Sequence, residues 1–173
     1  MKYFLIKMDQ KFDTAPEIKG WFDKIKHRDI CVERSHNIEK RQLLFVESNP
    51  NTVFPDILTF PFFLVTAVVR DVVRMYEPSV LFKQIVLLDP KYSKTCTYYL
   101  PILNEVDCLR GKRVRDNTVN SNCIKVDTQK IGDQSIVYAM LEEKRYIVAN
   151  LSIVESFLRR GAIGISLEEV VPK

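Results

Sequence analysis

The sequence predicts an α+β fold: a mixed, mainly antiparallel sheet with about three amphipathic helices. Two observations carry this. Short apolar runs bounded by turn residues recur along the chain, about eight of them, and they cluster instead of alternating strictly with helices. Apolar residues at helical spacing appear in three places. At 173 residues, the chain fits one domain over 1–173, since a single core commonly serves about 100 to 200 residues.

Residues 2–8, "KYFLIKM", crowd aromatic and aliphatic side chains before the polar "DQKFD" and read as a strand. "TAPEIKGWFDKI" then offers a helix start. Thr14 is an N-cap candidate with Glu17 three residues on, Pro16 falls in the first turn, and Ile18, Trp21, Phe22 and Ile25 form the expected buried stripe. "RQLLFVES" (41–48) reads as a buried strand stopped by "NPN".

Two related units follow. "FFLVTAVVRDVVRMYEPSVLFKQIVLLD" (62–89) passes from strand to helix, with Val68, Val69, Val72, Val73 and Tyr76 on one side, and halts at Pro78 before a strand from Val80. "RYIVANLSIVESFLRRGAIGISLEEV" (145–170) repeats the pattern, with a strand at 146–149, a stripe of Leu151, Val154, Phe157 and Leu158, a stop at Gly161 and a strand from Ile165. The units align with a one-residue slip inside the helix. A weak internal repeat and two independent uses of one supersecondary unit account for this equally well. Between them, "TCTYYLPIL" (95–103) pairs back on 80–89 across "DPKYSK", "CIKVD" and "SIVYAM" give further strands, and the polar, basic stretch 105–123 reads as an exposed excursion.

Composition narrows the function. Hydrophobic residues at 46% and charged residues at 28% suit a folded chain, and the net charge of +4 is spread out where nucleic-acid binders concentrate it. The start lacks a small-residue cleavage site, and "FPDILTFPFFLVTAVV" (54–69) is broken by Asp56 and prolines, so the expectation is a cytoplasmic protein with no membrane span. Four cysteines, Cys31, Cys96, Cys108 and Cys123, show no CxxC pair and read as reduced thiols.

Candidates for chemistry are few. His27, Cys31 and His36 form the nearest approach to a metal set, completed only if Cys96, Cys108 or Cys123 folds in; a surface loop with two solvated imidazoles is the simpler reading. A Cys–His nucleophilic pair has no local signature. No GxSxG, Walker, dinucleotide or HExxH motif is present, and "GAIG" follows a helix instead of opening one, so no cofactor is expected. "RGKRVR" (110–115) could grip phosphates, yet Asp107 and Asp116 flank it and no aromatic within it stacks. The acid pairs "LEEK" (141–144) and "LEEV" (167–170) read as strand-end charges on opposite faces.

The strand "YIVA", the helix "LSIVESFLRRG" and the return "AIGISLEEV" together resemble the carboxyl-terminal signature of a bacterial immunity-protein family, number eleven in the polymorphic-toxin immunity series. "FPFFLVTAVVRDVV" resembles that family's earlier strand-helix junction and "YYLPILNEVDCL" its central segment, so the likeness covers roughly residues 50 to 172. The family's usual serine after the strand valine is Thr66 in the first unit and Ala149 in the second, which loses a hydroxyl cap there. The resemblance implies a non-catalytic cytoplasmic antidote that binds and neutralises a cognate toxin protein. The alternatives are a nucleic-acid-binding or other interaction module, and an enzyme with a cysteine nucleophile.

Overall fold

Two six-stranded sheets contain all the strands among the described residues, and the two sheets have the same topology. The computed structural model describes residues 1–111 and 124–172. In chain order the elements are β1 (Tyr3–Met8), β2 (Glu17–Lys19), β3 (Arg41–Glu47), β4 (Ile57–Leu58), β5 (Leu64–Val65), α1 (Ala67–Tyr76), β6 (Leu81–Asp89) and β7 (Lys94–Ile102). They continue with β8 (Leu109–Arg110), β9 (Lys125–Val126), α2 (Thr128–Ile131), β10 (Ile136–Leu141), β11 (Lys144–Asn150), α3 (Leu151–Arg159) and β12 (Ile165–Pro172). The predicted α+β class, with mixed and mainly antiparallel pairing, is what the chain adopts.

One sheet runs β2-β3-β6-β7-β5-β4 and the other β8-β9-β12-β1-β11-β10. Laid side by side, every neighbouring pair agrees in direction. The single parallel pair in each, β3 with β6 and β9 with β12, falls at the same place, and all other pairs are antiparallel. Each sheet also carries a split strand-helix-strand unit. Helix α1 joins β5 to β6 with β7 between them, and α3 joins β11 to β12 with β1 between them. The likeness between 62–89 and 145–170 therefore extends to the strand order and directions of both sheets, which we call the first and second copy. In the first copy the central antiparallel strand, β7, follows β6 through a hairpin; in the second that place is taken by β1, from the far end of the sequence.

Strand β1 is buried on both faces. Leu5 faces a core made with Val137, Val148, Leu109, Val126 and Ile131, whereas Ile6 belongs to the larger core that contains residues of both sheets and both long helices. Both its edges are paired, Leu5 lying opposite Val148 on one side and Glu168 on the other. The lysines of this region pair with the "LEEV" acids, Lys2 with Glu169 and Lys7 with Glu168, so these carboxylates sit on opposite faces as predicted.

The helices match their predicted spans, with altered faces. On α1 the buried residues are Val69, Val72 and Val73, while Val68 is exposed and Tyr76 half-buried. On α3 they are Ile153, Val154 and Phe157; Leu158 is exposed. Helix α3 is capped by Asn150, whose side chain accepts the Ile153 N–H at 3.1 Å, so the hydroxyl missing at Ala149 is replaced one residue later. The two helices pack together, the Tyr76 hydroxyl donating to the Ser152 carbonyl at 3.0 Å. Gly161 and Gly164 both have positive φ, and a Cβ on Gly164 would lie 2.4 Å from the Pro55 Cβ, so the turn after α3 docks directly on the first copy. Asp56 secures the same junction, its carboxylate accepting the Ile163 N–H at 2.7 Å and the Thr66 hydroxyl.

Four expectations are corrected. Residues 14–25 form no helix: Glu17–Lys19 is a strand on β3, Gly20 turns the chain at φ 60°, and Trp21–Asp23 is a short 3-10 turn. Ile18 and Ile25 are buried, but Trp21 is half-buried and Phe22 exposed. The third helix is instead α2, a single turn. Strand β3 is buried on one face only, with Arg41, Phe45 and Glu47 outward. In the stretch 105–123, Cys108 and Leu109 are buried, and residues 112–123 lie outside the described residues. The pair Glu142–Glu143 is a hairpin turn, not a strand end, with φ of 49° and 62°.

Because β1 fills the central place in its sheet, Leu5→Ala should cost about 2–5 kcal/mol in urea unfolding. A circular permutant that links the end of the chain to its start and opens at residues 9–13 should keep the circular dichroism and cooperative unfolding of the parent. A mild Leu5 variant together with an unfolded permutant would contradict this placement.

Candidate functional site

The outermost hairpins of the two copies, β4–β5 and β10–β11, occupy equivalent positions, and between them lies a cleft of 660 Å³. One wall is the loop Thr59–Phe63. The other is formed by Met140, Lys144, Arg145 and Ile147, with Tyr138 at the base. The 3-10 turn at His27–Asp29 closes one end through His27 and Arg28.

Aromatic side chains define the wall on the first side. The Trp21 ring meets His27 at 5.4 Å and Phe62 at 5.1 Å, edge to face, and stands 6.4 Å from Phe60. His27 in turn lies 5.0 Å from Phe62. Phe60 closes this group yet is 75% exposed, an arrangement that leaves a large apolar surface uncovered. The loop is fixed beneath it: Phe62 and Phe63 are buried, and Phe63 meets Tyr138 edge to face across the base at 6.5 Å.

Arg145 organises the opposite wall. Its guanidinium sits 5.0 Å from the Tyr138 ring centroid and donates to Glu105 at 2.9 and 3.1 Å and to the His27 carbonyl at 3.4 Å. Tyr138 is held from below, its hydroxyl donating to the Pro101 carbonyl at 2.8 Å, and burial pushes its pKa up. The packing of His27 against Trp21 and Phe62 removes part of its hydration and lowers its pKa, with Arg145 adding to the effect.

His27, Cys31 and His36, the nearest approach to a metal set in the sequence, do not come together as one. Among the described residues no three His, Cys, Asp or Glu side chains converge, and of the three candidates only His27 lines the cleft. Cys31 is half-buried, its thiol donating to the Arg28 carbonyl at 3.6 Å. Burial pushes the Cys108 thiol up to about 11, the opposite of an activated nucleophile, and Cys96 shifts the same way. Cys123 lies outside the described residues. Of "RGKRVR", Arg110 is bound by Asp107 at 2.6 and 2.7 Å; residues 112–115 lie outside the described set. No motif in the sequence marks Phe60, Tyr138 or Arg145. The break of an apolar run by Thr59 and Pro61 was the available signal for an exposed Phe60.

The geometry offers rigid aromatic surface and an oriented guanidinium, the groups that dominate protein recognition. Comparison with family models finds no match, and comparison with curated proteins finds none either. No helix of the described residues is long and apolar enough to cross a membrane.

Two measurements follow from the site. His27 should titrate below its ordinary 6.5. Since the folded state then favours the neutral ring, stability should fall as pH drops below that value, and His27→Gln should remove that component; an NMR midpoint at or above 6.5 would contradict the packing. The positive φ at Glu142 and Glu143 suits Asn-Gly better, so replacing the pair by Asn-Gly should raise stability by about 1 kcal/mol or more.

Proposed function

We propose that the chain is a non-catalytic immunity protein, acting in the cytoplasm of a bacterium, that binds a cognate toxin protein and blocks it. The reading starts from the resemblance of roughly residues 50–172 to an immunity-protein family, which no family model matches, and one structural observation supports it. That observation is the exposed Phe60 in the same cleft as the Arg145–Tyr138 pair, between two equivalently placed hairpins.

An antidote needs tight, durable contact, and binding energy in such interfaces concentrates in a few aromatic and arginine anchors that fill pockets. A toxin element entering the cleft would cover Phe60 and contact a wall already fixed by Glu105 and Pro101. Little rotamer entropy would be lost there, because Arg145 and Tyr138 are held before the partner arrives.

Co-expression with the toxin encoded beside it should restore growth. Phe60→Ala, which removes an exposed side chain, should weaken the complex by about thirtyfold or more while leaving the fold intact. Growth arrest with every neighbouring toxin candidate, or full protection and affinity in the Phe60→Ala variant, would contradict the proposal.

A further inference from the structure

We infer that the cleft takes a short segment of its partner that combines aliphatic or aromatic side chains with carboxylates. This inference rests on the binding reading above and adds the chemistry of the occupant.

The apolar part follows from Phe60, Phe62, Met140 and Ile147, which line the cleft. Apolar walls alone would accept any apolar segment. The charges at the rim supply a sign. Arg28, Lys144 and Arg145 border the cleft against a single lining carboxylate, Glu143. Arg145 is already neutralised by Glu105, so it positions Tyr138 and does not call for a new partner. The other two cations are held less firmly. Arg28, largely exposed, pairs with Asp29 at 3.9 Å, and Lys144 forms no ion pair with another described residue. One belongs to the turn at His27–Asp29 and the other to the β10–β11 hairpin, so the cations that outnumber the single lining carboxylate come from both copies.

A segment bearing carboxylates beside apolar side chains would satisfy both features at once. A basic segment would meet two like charges, a repulsion that discriminates between partners more strongly than apolar contact does. The volume of 660 Å³ falls in the range of clefts that enclose a compact ligand, which limits the inserted part to a few residues. Glu143 is the one group that opposes such a segment, and its removal gives the inference a gain-of-affinity consequence.

Trp21 is the only tryptophan in the chain and lies against the aromatic wall, so its fluorescence reports occupancy of the cleft. The probes are two capped peptides, acetyl-Asp-Leu-Phe-Glu-Leu-Asp-amide and acetyl-Lys-Leu-Phe-Lys-Leu-Lys-amide, titrated into the full chain at low salt. The acidic peptide should give a saturable change below about 1 mM, weakened by salt, and the basic peptide none. Charge reversal at both Arg28→Glu and Lys144→Glu should weaken the acidic peptide about tenfold, and Glu143→Gln should tighten it about threefold. Circular dichroism of each variant checks that folding is retained. No saturable change with the acidic peptide, equal binding of the basic one, or unchanged affinity in the double reversal would overturn the inference. Peptide binding without protection by the chain in co-expression would overturn the antidote reading alone; protection without peptide binding would overturn only the chemistry of the occupant.

Discussion

The insertion of β1 between β11 and β12 is the constraint on which the second half of the molecule depends. Without it those strands would present two unpaired edges, and their backbone groups would need water or another chain as partners. The contact is also the most non-local among the described residues, joining residues 3–6 to 147–150 and residues 3–8 to 165–170. It carries a loop-closure cost that local hairpins such as β6–β7 avoid. Burial on both faces offsets that cost, because Leu5 and Ile6 feed two different cores and so tie the sheets into one cooperative body.

The two sheets share strand order and direction, and their outer hairpins line the two sides of the cleft with different connecting loops. The first hairpin ends in Thr59–Phe63, an aromatic loop with its backbone pinned by two buried phenylalanines. The second ends in a tight pair of glutamates in a left-handed conformation. A framework that repeats and loops that diverge is how one scaffold acquires a single recognition surface from two similar parts. The docking of Gly164 on Pro55, with Asp56 bonded across to Ile163, fixes the opposite end of the same junction.

Much of this was legible in the sequence wherever the signal was local. The strand-helix-strand units, the β6–β7 hairpin and the stop at Gly161 follow from periodicity and turn residues within a few positions of one another. The failure at 14–25 is instructive: Ile18, Trp21, Phe22 and Ile25 match helical spacing, yet Ile18 is buried by a strand and Ile25 after a 3-10 turn, and Gly20 marks the break. Burial by two different elements imitated one amphipathic face. The role of β1 had no local sign, since nothing in residues 3–8 reveals which strands flank it. The cleft was hidden for a related reason: hydropathy does not distinguish Phe60, which is exposed, from Phe62 and Phe63, which are not. The chemistry-bearing residues that sequence reasoning weighs first, His and Cys, contribute only His27.

Native-state hydrogen exchange tests most directly whether β1 is the element that closes the structure. The Leu5 and Ile6 amides should exchange only through global unfolding, in the same slow class as Ile85 and Tyr98 in the other sheet. Release of β1 by a smaller opening, with β6 and β7 still protected, would contradict the account.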